Sequence, residues 1–199
     1  VDSQLRPEGV NDPALVAAMG SVPRELFVPE AARAIAYNDR AIPLGGGRSL
    51  SAPASLGLLL TGMEPLPGDR ALVVGTATGY SAAVLAAIGL EVTAVESSPE
   101  LAAVARERGV AVVEGSLEDG YSKGGPYDLI LIDGAVEIVP QAIVDQLKDG
   151  GRLGAALIDR GVTRLVIGIK AAGGIGYHSI ADAGVAALPG FKRPRAFTF

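Results

Sequence analysis

The stretch Gly75-Thr76-Ala77-Thr78-Gly79 lies between a short apolar run and an Ala-rich segment with helical spacing, so it is a strand-to-helix turn. Backbone amides and a helix N-terminus converge at such a turn, and small ligands bind there in open α/β sheets. Glu96 ends the next apolar run, 21 residues after Gly75. An acid at that distance is placed to accept hydrogen bonds from both hydroxyls of a ribose. Asp133 ends a later run, Leu129-Ile130-Leu131-Ile132, and points into the same crevice. Each feature alone has a plainer reading: an empty turn for the loop, a solvated strand-end acid for Glu96 and for Asp133. The pairing of Gly75–Gly79 with Glu96 favours a nucleoside site.

The elements that must position these residues follow from periodicity. Residues 12–20 and 29–37 carry helical apolar spacing, and Asp12-Pro13 reads as a cap followed by Pro in the first turn. Residues 42–47, Ile-Pro-Leu-Gly-Gly-Gly, read as loop, and a helix returns from Pro53 to about residue 62. Five runs then read as strands, at 71–74, 92–96, 110–113, 129–133 and 153–158. Helices at 80–89, 99–108 and 139–147 lie between them, the last stopped by Asp149-Gly150-Gly151. Strands apolar on both faces that alternate with helices make a parallel sheet covered on each side. After residue 160 the segments 164–170 and 175–180, joined through Gly173-Gly174, read as an antiparallel hairpin.

Composition narrows the chemistry. The 199 residues fit one domain, 49% hydrophobic and 20% charged. No apolar run approaches the roughly 20 residues of a membrane helix, and no secretory leader is apparent. With no Cys and a single His, His178, thiolate chemistry and a multi-histidine metal site are excluded. The expectation is a cytoplasmic protein without a bound metal. A net charge of −5, no Trp, and one short basic cluster at Lys192-Arg193-Pro194-Arg195 argue against a nucleic-acid surface.

Two cofactor classes compete for the loop. A dinucleotide fingerprint wants G-x-G-x-x-G, whereas this chain has Gly-x-Ala-x-Gly with Tyr80 directly after it. That is closer to the loop of methyltransferases, which binds a nucleoside amino acid without a pyrophosphate. Val22-Pro23-Arg24-Glu25-Leu26-Phe27-Val28-Pro29, Ala36-Tyr37-Asn38-Asp39 and Ile42-Pro43-Leu44-Gly45 then resemble the opening signature of the protein-L-isoaspartate O-methyltransferases. Gly47-Arg48-Ser49-Leu50-Ser51-Ala52-Pro53 is similar to that family's G-Q-T-I-S-x-P loop, and 72–85 to its L-E-I-G-T-G-S-G-Y-x-A-A-V-L. Pro126-Tyr127-Asp128 and 146–153 match the later core, so the resemblance runs in order over residues 21–158.

The resemblance implies a Rossmann-like class I methyltransferase fold: a mostly parallel seven-stranded sheet ending in an antiparallel hairpin, with an N-terminal helical extension. The chain then forms one domain, with residues 1–55 as extension and substrate loop and 56–199 as the cofactor-binding core. It implies S-adenosylmethionine as cofactor, S-adenosylhomocysteine as product, and methyl transfer to the α-carboxylate of L-isoaspartyl residues in damaged peptides or proteins. By carry-over, Ser51 is the active-site serine and Arg48 and Ser49 face the substrate. Gly75, Thr76, Ala77, Gly79, Tyr80, Glu96, Ser116 and Asp133 lie along the cofactor. The pattern is broken at Val73, where the family has an acid, at Ala77 and Arg48, where it has Gly and Gln, and at Ser116, where it has Asp. Two alternatives stay open: a related methyltransferase with another acceptor, and a non-catalytic descendant that binds a nucleoside or a partner. Ser51, two residues before Pro53, also fits a simple helix cap.

Overall fold

The computed structural model describes residues 2–193. The N-terminal part holds α1 (Asp2–Leu5), α2 (Pro13–Ser21), two 3-10 turns (Arg24–Phe27 and Glu30–Ile35), the hairpin β1 (Ile42–Gly45) and β2 (Arg48–Leu50), and α3 (Pro53–Met63). The core runs β3 (Arg70–Val74), α4 (Tyr80–Ile88), β4 (Glu91–Glu96), α5 (Pro99–Glu107), β5 (Val112–Glu114), β6 (Tyr127–Val136), α6 (Gln141–Val144), β7 (Leu147–Asp159), β8 (Val162–Ala171) and β9 (Gly174–Asp182). A seven-stranded sheet has the order β5-β4-β3-β6-β7-β8-β9. Its first five strands are parallel, and β8 and β9 add antiparallel.

Alternation of side chains across the central strands splits the core in two. Ala71, Val73, Ala94, Leu129 and Leu131 are buried on one face, Leu72, Val74, Val95, Ile130 and Ile132 on the other. The continuous apolar runs read from the sequence are therefore covered on both faces. The caps are local: the Asp12 carboxylate accepts from Leu15 N, with Pro13 in the first turn, and Ser98 Oγ accepts from Leu101 N to start α5.

Three expectations are corrected. Residues 42–45 form an edge strand, because Pro43 faces outward from a two-stranded ribbon and its missing N–H costs no bond. The helix expected over 29–37 is a 3-10 turn, Glu30–Ile35, with no fully buried residue; only Ala32 packs against the core from it, too little apolar contact to sustain an α-helix. The helix expected over 139–147 stops at Val144. β7 begins at Leu147, passes Asp149-Gly150 as a register shift, and resumes pairing with β6 at Arg152. No α-helix covers the connection from β5 to β6, which holds only the 3-10 turn Ser122–Gly124.

After β3 the chain builds one side of the sheet, then crosses back to lay β6 on the other side of β3. The crevice at the carboxyl ends of β3 and β6 is thus the topological switch point, where ligands bind in such sheets.

Candidate active site

Gly75, Ala77 and Gly79 take φ of +75°, +50° and +95°. Glycine adopts such angles freely, whereas Ala77 needs an external hold. Glu96 supplies it: its Oε2 accepts from Ala77 N at 2.7 Å. Glu96 is fully buried, and its Oε1 accepts from Ser97 N at 2.9 Å and Ser98 N at 3.0 Å. A third donor to Oε1 is Arg48 Nη1 at 2.5 Å, while Arg48 Nη2 donates to Gly75 O at 2.8 Å. Arg48, only 6% exposed, therefore reaches from β2 across the crevice and pairs with the acid expected to take the ribose. Arg48, expected to face the substrate, lines the cavity with Ser49 and Ser51, and its desolvated guanidinium is paired with the buried Glu96 carboxylate.

On the other side of the crevice, β6 shifts register between Leu131 and Ala135, and the bulge aims Asp133 at Ser51 and Ser81. Ser51 Oγ donates to Asp133 Oδ1 at 3.2 Å and Ser81 Oγ to Oδ2 at 2.6 Å. The residue keeps some solvent contact, but its carboxyl group lies among protein atoms, and this desolvation raises its pKa above the ordinary aspartate value. The hydrogen bonds from Ser81 and Ser51 and the charges of Arg48 and Arg24 only partly offset that. Asp133 is not a solvated strand-end acid.

Ser51 does not cap α3. Ala52 occupies the cap position without a side-chain bond, and Asp39 Oδ1 accepts from Ala54 N at 2.9 Å instead. The backbone of Ser51 is held from behind: Arg24 Nη2 donates to Ser51 O at 2.5 Å and Arg24 Nε to Ala36 O at 2.7 Å. Arg24 is buried, lies 4.8 Å over the Tyr80 ring, and keeps Nη1 without a partner among the described residues. Burial lowers its pKa, with Tyr80 and Asp133 acting the other way. Arg24 and Asp39 both belong to the sequence signature, and their roles emerge only in the fold. The signal was there for Arg24: a cation inside the apolar stretch Val22–Pro29 has to be paired.

The remaining expected residues divide. Thr76 lies in the loop, buried, with its Oγ1 unpartnered among the described residues. Ser49 sits on β2 opposite Pro43 and lines the crevice beside Ser51. The Tyr80 ring turns toward the N-terminal extension, against Phe27 at 5.5 Å and Arg24, and burial raises its pKa. Ser116 is exposed just beyond β5, whose end is tied to β4 by Gly115 N donating to Glu96 O. Of the basic cluster, Arg193 meets Glu137, and Pro194 and Arg195 lie outside the described residues. Among the described residues no three His, Cys, Asp or Glu gather as a metal site, and no helix is long and apolar enough to cross a membrane.

One participant had no sequence signal. After β9 the chain returns to the crevice and runs beside β6: Ala135 N donates to Ala186 O and Leu188 N to Ala135 O, both at 2.8 Å, and Glu137 N to Phe191 O at 3.1 Å. Leu188 rests on two glycines. A Cβ on Gly75 would stand 3.1 Å from both Leu188 Cδ atoms and from Arg48 Nη2, and one on Gly134 would collide with Leu188 Cγ. What remains between Arg48, Ser49, Ser51, Asp133 and Leu188 is a cavity of about 10 Å³, room for one water.

Comparison with known proteins decides the family. The model of the protein-L-isoaspartate(D-aspartate) O-methyltransferase family matches residues 2–170. The chain belongs to this family. It is 37% identical over 196 residues to a protein-L-isoaspartate O-methyltransferase of Methanoculleus marisnigri, covering 95% of this chain and 88% of that one. It is 41% identical over 160 residues to that of Gloeobacter violaceus, 77% and 78% covered. A solved protein-L-isoaspartate O-methyltransferase superposes with a TM-score of 0.81 at 26% identity, over 94% of this chain and 64% of that one. A second solved structure, a Plasmodium falciparum protein in complex with S-adenosyl-L-homocysteine, has the same fold, with a TM-score of 0.81 at 21% identity, 94% and 95% covered. The mostly parallel seven-stranded sheet with its antiparallel end is the family's Rossmann-like methyltransferase fold.

Proposed function

We propose that the protein transfers the methyl group of S-adenosylmethionine to the α-carboxylate of L-isoaspartyl residues in damaged peptides and proteins, in the cytoplasm. The observation that carries this is the 37% identity over nearly the whole chain to a relative of that name. The chain works as one domain, with residues 1–55 bringing the acceptor loop to a core at 56–199.

The donor set at the switch point suits the cofactor. Glu96 would take the ribose hydroxyls, and Gly75, Thr76, Ala77 and Gly79 would face the amino-acid part, with the orphaned Thr76 hydroxyl beside it. Tyr80 and Ser116 would stand at the margins, the Tyr80 ring being turned onto Arg24. The space does not suit it in this conformation: Arg48 and Leu188 fill it, leaving far less than the roughly 300 Å³ of a small-ligand pocket. When bound, the cofactor supplies an electrophilic methyl group. The acceptor needs no base, because a carboxylate of pKa near 4 is ionised at neutral pH. The protein's work is alignment, for which well-oriented groups gain high effective molarities. Ser51, its carbonyl fixed by Arg24, would turn its hydroxyl to the acceptor, with Ser49 alongside.

One observation favours a second reading, transfer to another acceptor. Asp133 already accepts the Ser51 hydroxyl, and an ionised Asp133 would attract an amine or hydroxyl and repel a carboxylate. The test is calorimetry with S-adenosylmethionine, followed by transfer of labelled methyl to matched isoaspartyl and aspartyl peptides. Binding followed by transfer to the isoaspartyl peptide alone is expected. Binding with no transfer to either peptide would leave the second reading.

A further inference from the structure

Three groups meet where the nucleoside is expected: the Glu96 carboxylate, the Gly75 backbone and the Gly134 backbone. Each already carries a partner from this chain. Glu96 Oε1 takes the Arg48 guanidinium, and Gly75 O takes its second nitrogen. The open faces of Gly75 and Gly134 take Leu188. A ribose offers Glu96 two hydroxyl donors; Arg48 offers the same carboxylate a charged N–H. The two compete for it: Oε1 already holds Arg48, Ser97 N and Ser98 N, so of the two ribose hydroxyls only one finds room, on Oε2 beside Ala77 N.

We infer that Arg48 and the segment 184–191 form an internal competitor that closes the cofactor crevice, and that S-adenosylmethionine binds only when both have withdrawn. The inference rests on reading Glu96 and the Gly75–Gly79 loop as the nucleoside site. The two arms are independent in the chain. Arg48 sits on a two-stranded hairpin outside the main sheet. The segment follows β9 and joins β6 through backbone bonds at Ala135 and Glu137, where β3 has already ended. Either arm can leave without unpairing the seven strands. In such a scheme the measured affinity is the intrinsic affinity reduced by the fraction of molecules that are open.

The test uses the full chain, Arg48→Gln and Leu188→Ala, with S-adenosylmethionine titrated by calorimetry and backbone exchange followed by mass spectrometry. Each substitution removes one arm and leaves the other, so a failure of one variant to fold leaves the second to decide. Tighter binding by about tenfold or more is expected in each, the factor for an arm that is withdrawn one part in ten or less. Adding the ligand to the parent should also speed exchange over residues 184–191 and around Ala135. Equal affinity in the parent and both variants, or binding to the parent with 184–191 still protected, would overturn the inference while leaving the cofactor assignment intact. Weaker binding in Arg48→Gln would make Arg48 a cofactor ligand and overturn it too. No binding in any of the three proteins would remove the cofactor reading and the competitor with it.

Discussion

Replacing Glu96 by Ala tests the buried pair directly. The parent carboxylate satisfies Arg48 Nη1 and the amides of Ala77, Ser97 and Ser98, all within 3.0 Å and sealed from solvent. Without it, Arg48 is a buried cation left with Gly75 O as its acceptor among the described residues, and Ala77 loses the hold on its left-handed backbone. Breaking a buried ion pair from one side costs about 3–5 kcal/mol. At about 2–4 °C per kcal/mol for a chain of this size, the melting temperature should fall by roughly 6–20 °C. A double-mutant cycle separates the pair from the loop: adding Arg48→Ala removes the stranded charge, so Glu96→Ala/Arg48→Ala should be more stable than the sum of the two single losses. Urea unfolding of the four proteins measures this. A Glu96→Ala protein within about 1 kcal/mol of the parent, with additive effects, refutes the buried pairing. The experiment also bears on cofactor assays, because a loss of affinity in this variant counts only for the folded fraction.

Ser51→Ala should change stability by less than about 1 kcal/mol, since Ser51 caps nothing, and should abolish most turnover while sparing cofactor affinity; lost affinity in calorimetry would place the hydroxyl on the donor side. Arg24→Lys should destabilise by about 2 kcal/mol or more in urea unfolding, because one ammonium cannot replace a fork spanning Ala36 O and Ser51 O; a neutral outcome would count against that fork. Gly134→Ala should cost about 1–3 kcal/mol and open 184–191 to limited proteolysis, since its methyl group takes the space of Leu188. An unchanged digestion pattern would speak against the contact.

The strands around the switch point were readable because burial on both faces forces unbroken apolar runs, as in Leu129–Ile132. The β8–β9 hairpin was readable because Gly173, at φ +79°, marks its turn. The edge strand at Ile42–Gly45 was hidden by Pro43, which the alternation rule rejects and a ribbon edge accepts. The helix beyond Val144 failed because Leu147 pairs with Tyr127, and sheet pairing overrides local apolar spacing. At the site, the loop, Glu96, Asp133 and Ser51 do converge on one crevice. The bond between Arg48 and Glu96, and the return of Leu188 onto Gly75, join residues far apart in sequence with no local mark. Ser51 read as a cap because Ser before Pro has the right local form; only the fold shows that Asp39 caps α3 in its place.

Asp133 sets the pH dependence of transfer if a carboxylate is the acceptor. Its carboxyl is bonded to Ser51 and Ser81 and faces Arg48 from β2 and Arg24 from the N-terminal extension. An acceptor carboxylate brought to Ser51 would stand roughly 4 Å from it, where two like charges repel by about 4 kcal/mol at an effective dielectric of 20. The two arginines reduce that, and Arg48 does so only while it remains near. A protonated Asp133 removes the repulsion and frees the Ser51 hydroxyl for the acceptor. Burial raises the Asp133 pKa in the folded protein, so the protonated form persists above the pH at which an ordinary aspartate ionises. Activity on isoaspartyl peptide, as kcat/KM, should therefore fall as pH rises through that folded value. Asp133→Asn, which cannot ionise, should flatten the profile and raise the rate on its alkaline side. The linked stability has the same sign: the folded state holds the proton more tightly than the unfolded chain, so stability declines with rising pH across this window in the parent and not in Asp133→Asn. A parent profile unmoved by Asp133→Asn at every pH at which the protein stays folded would show that no carboxylate is brought against Asp133.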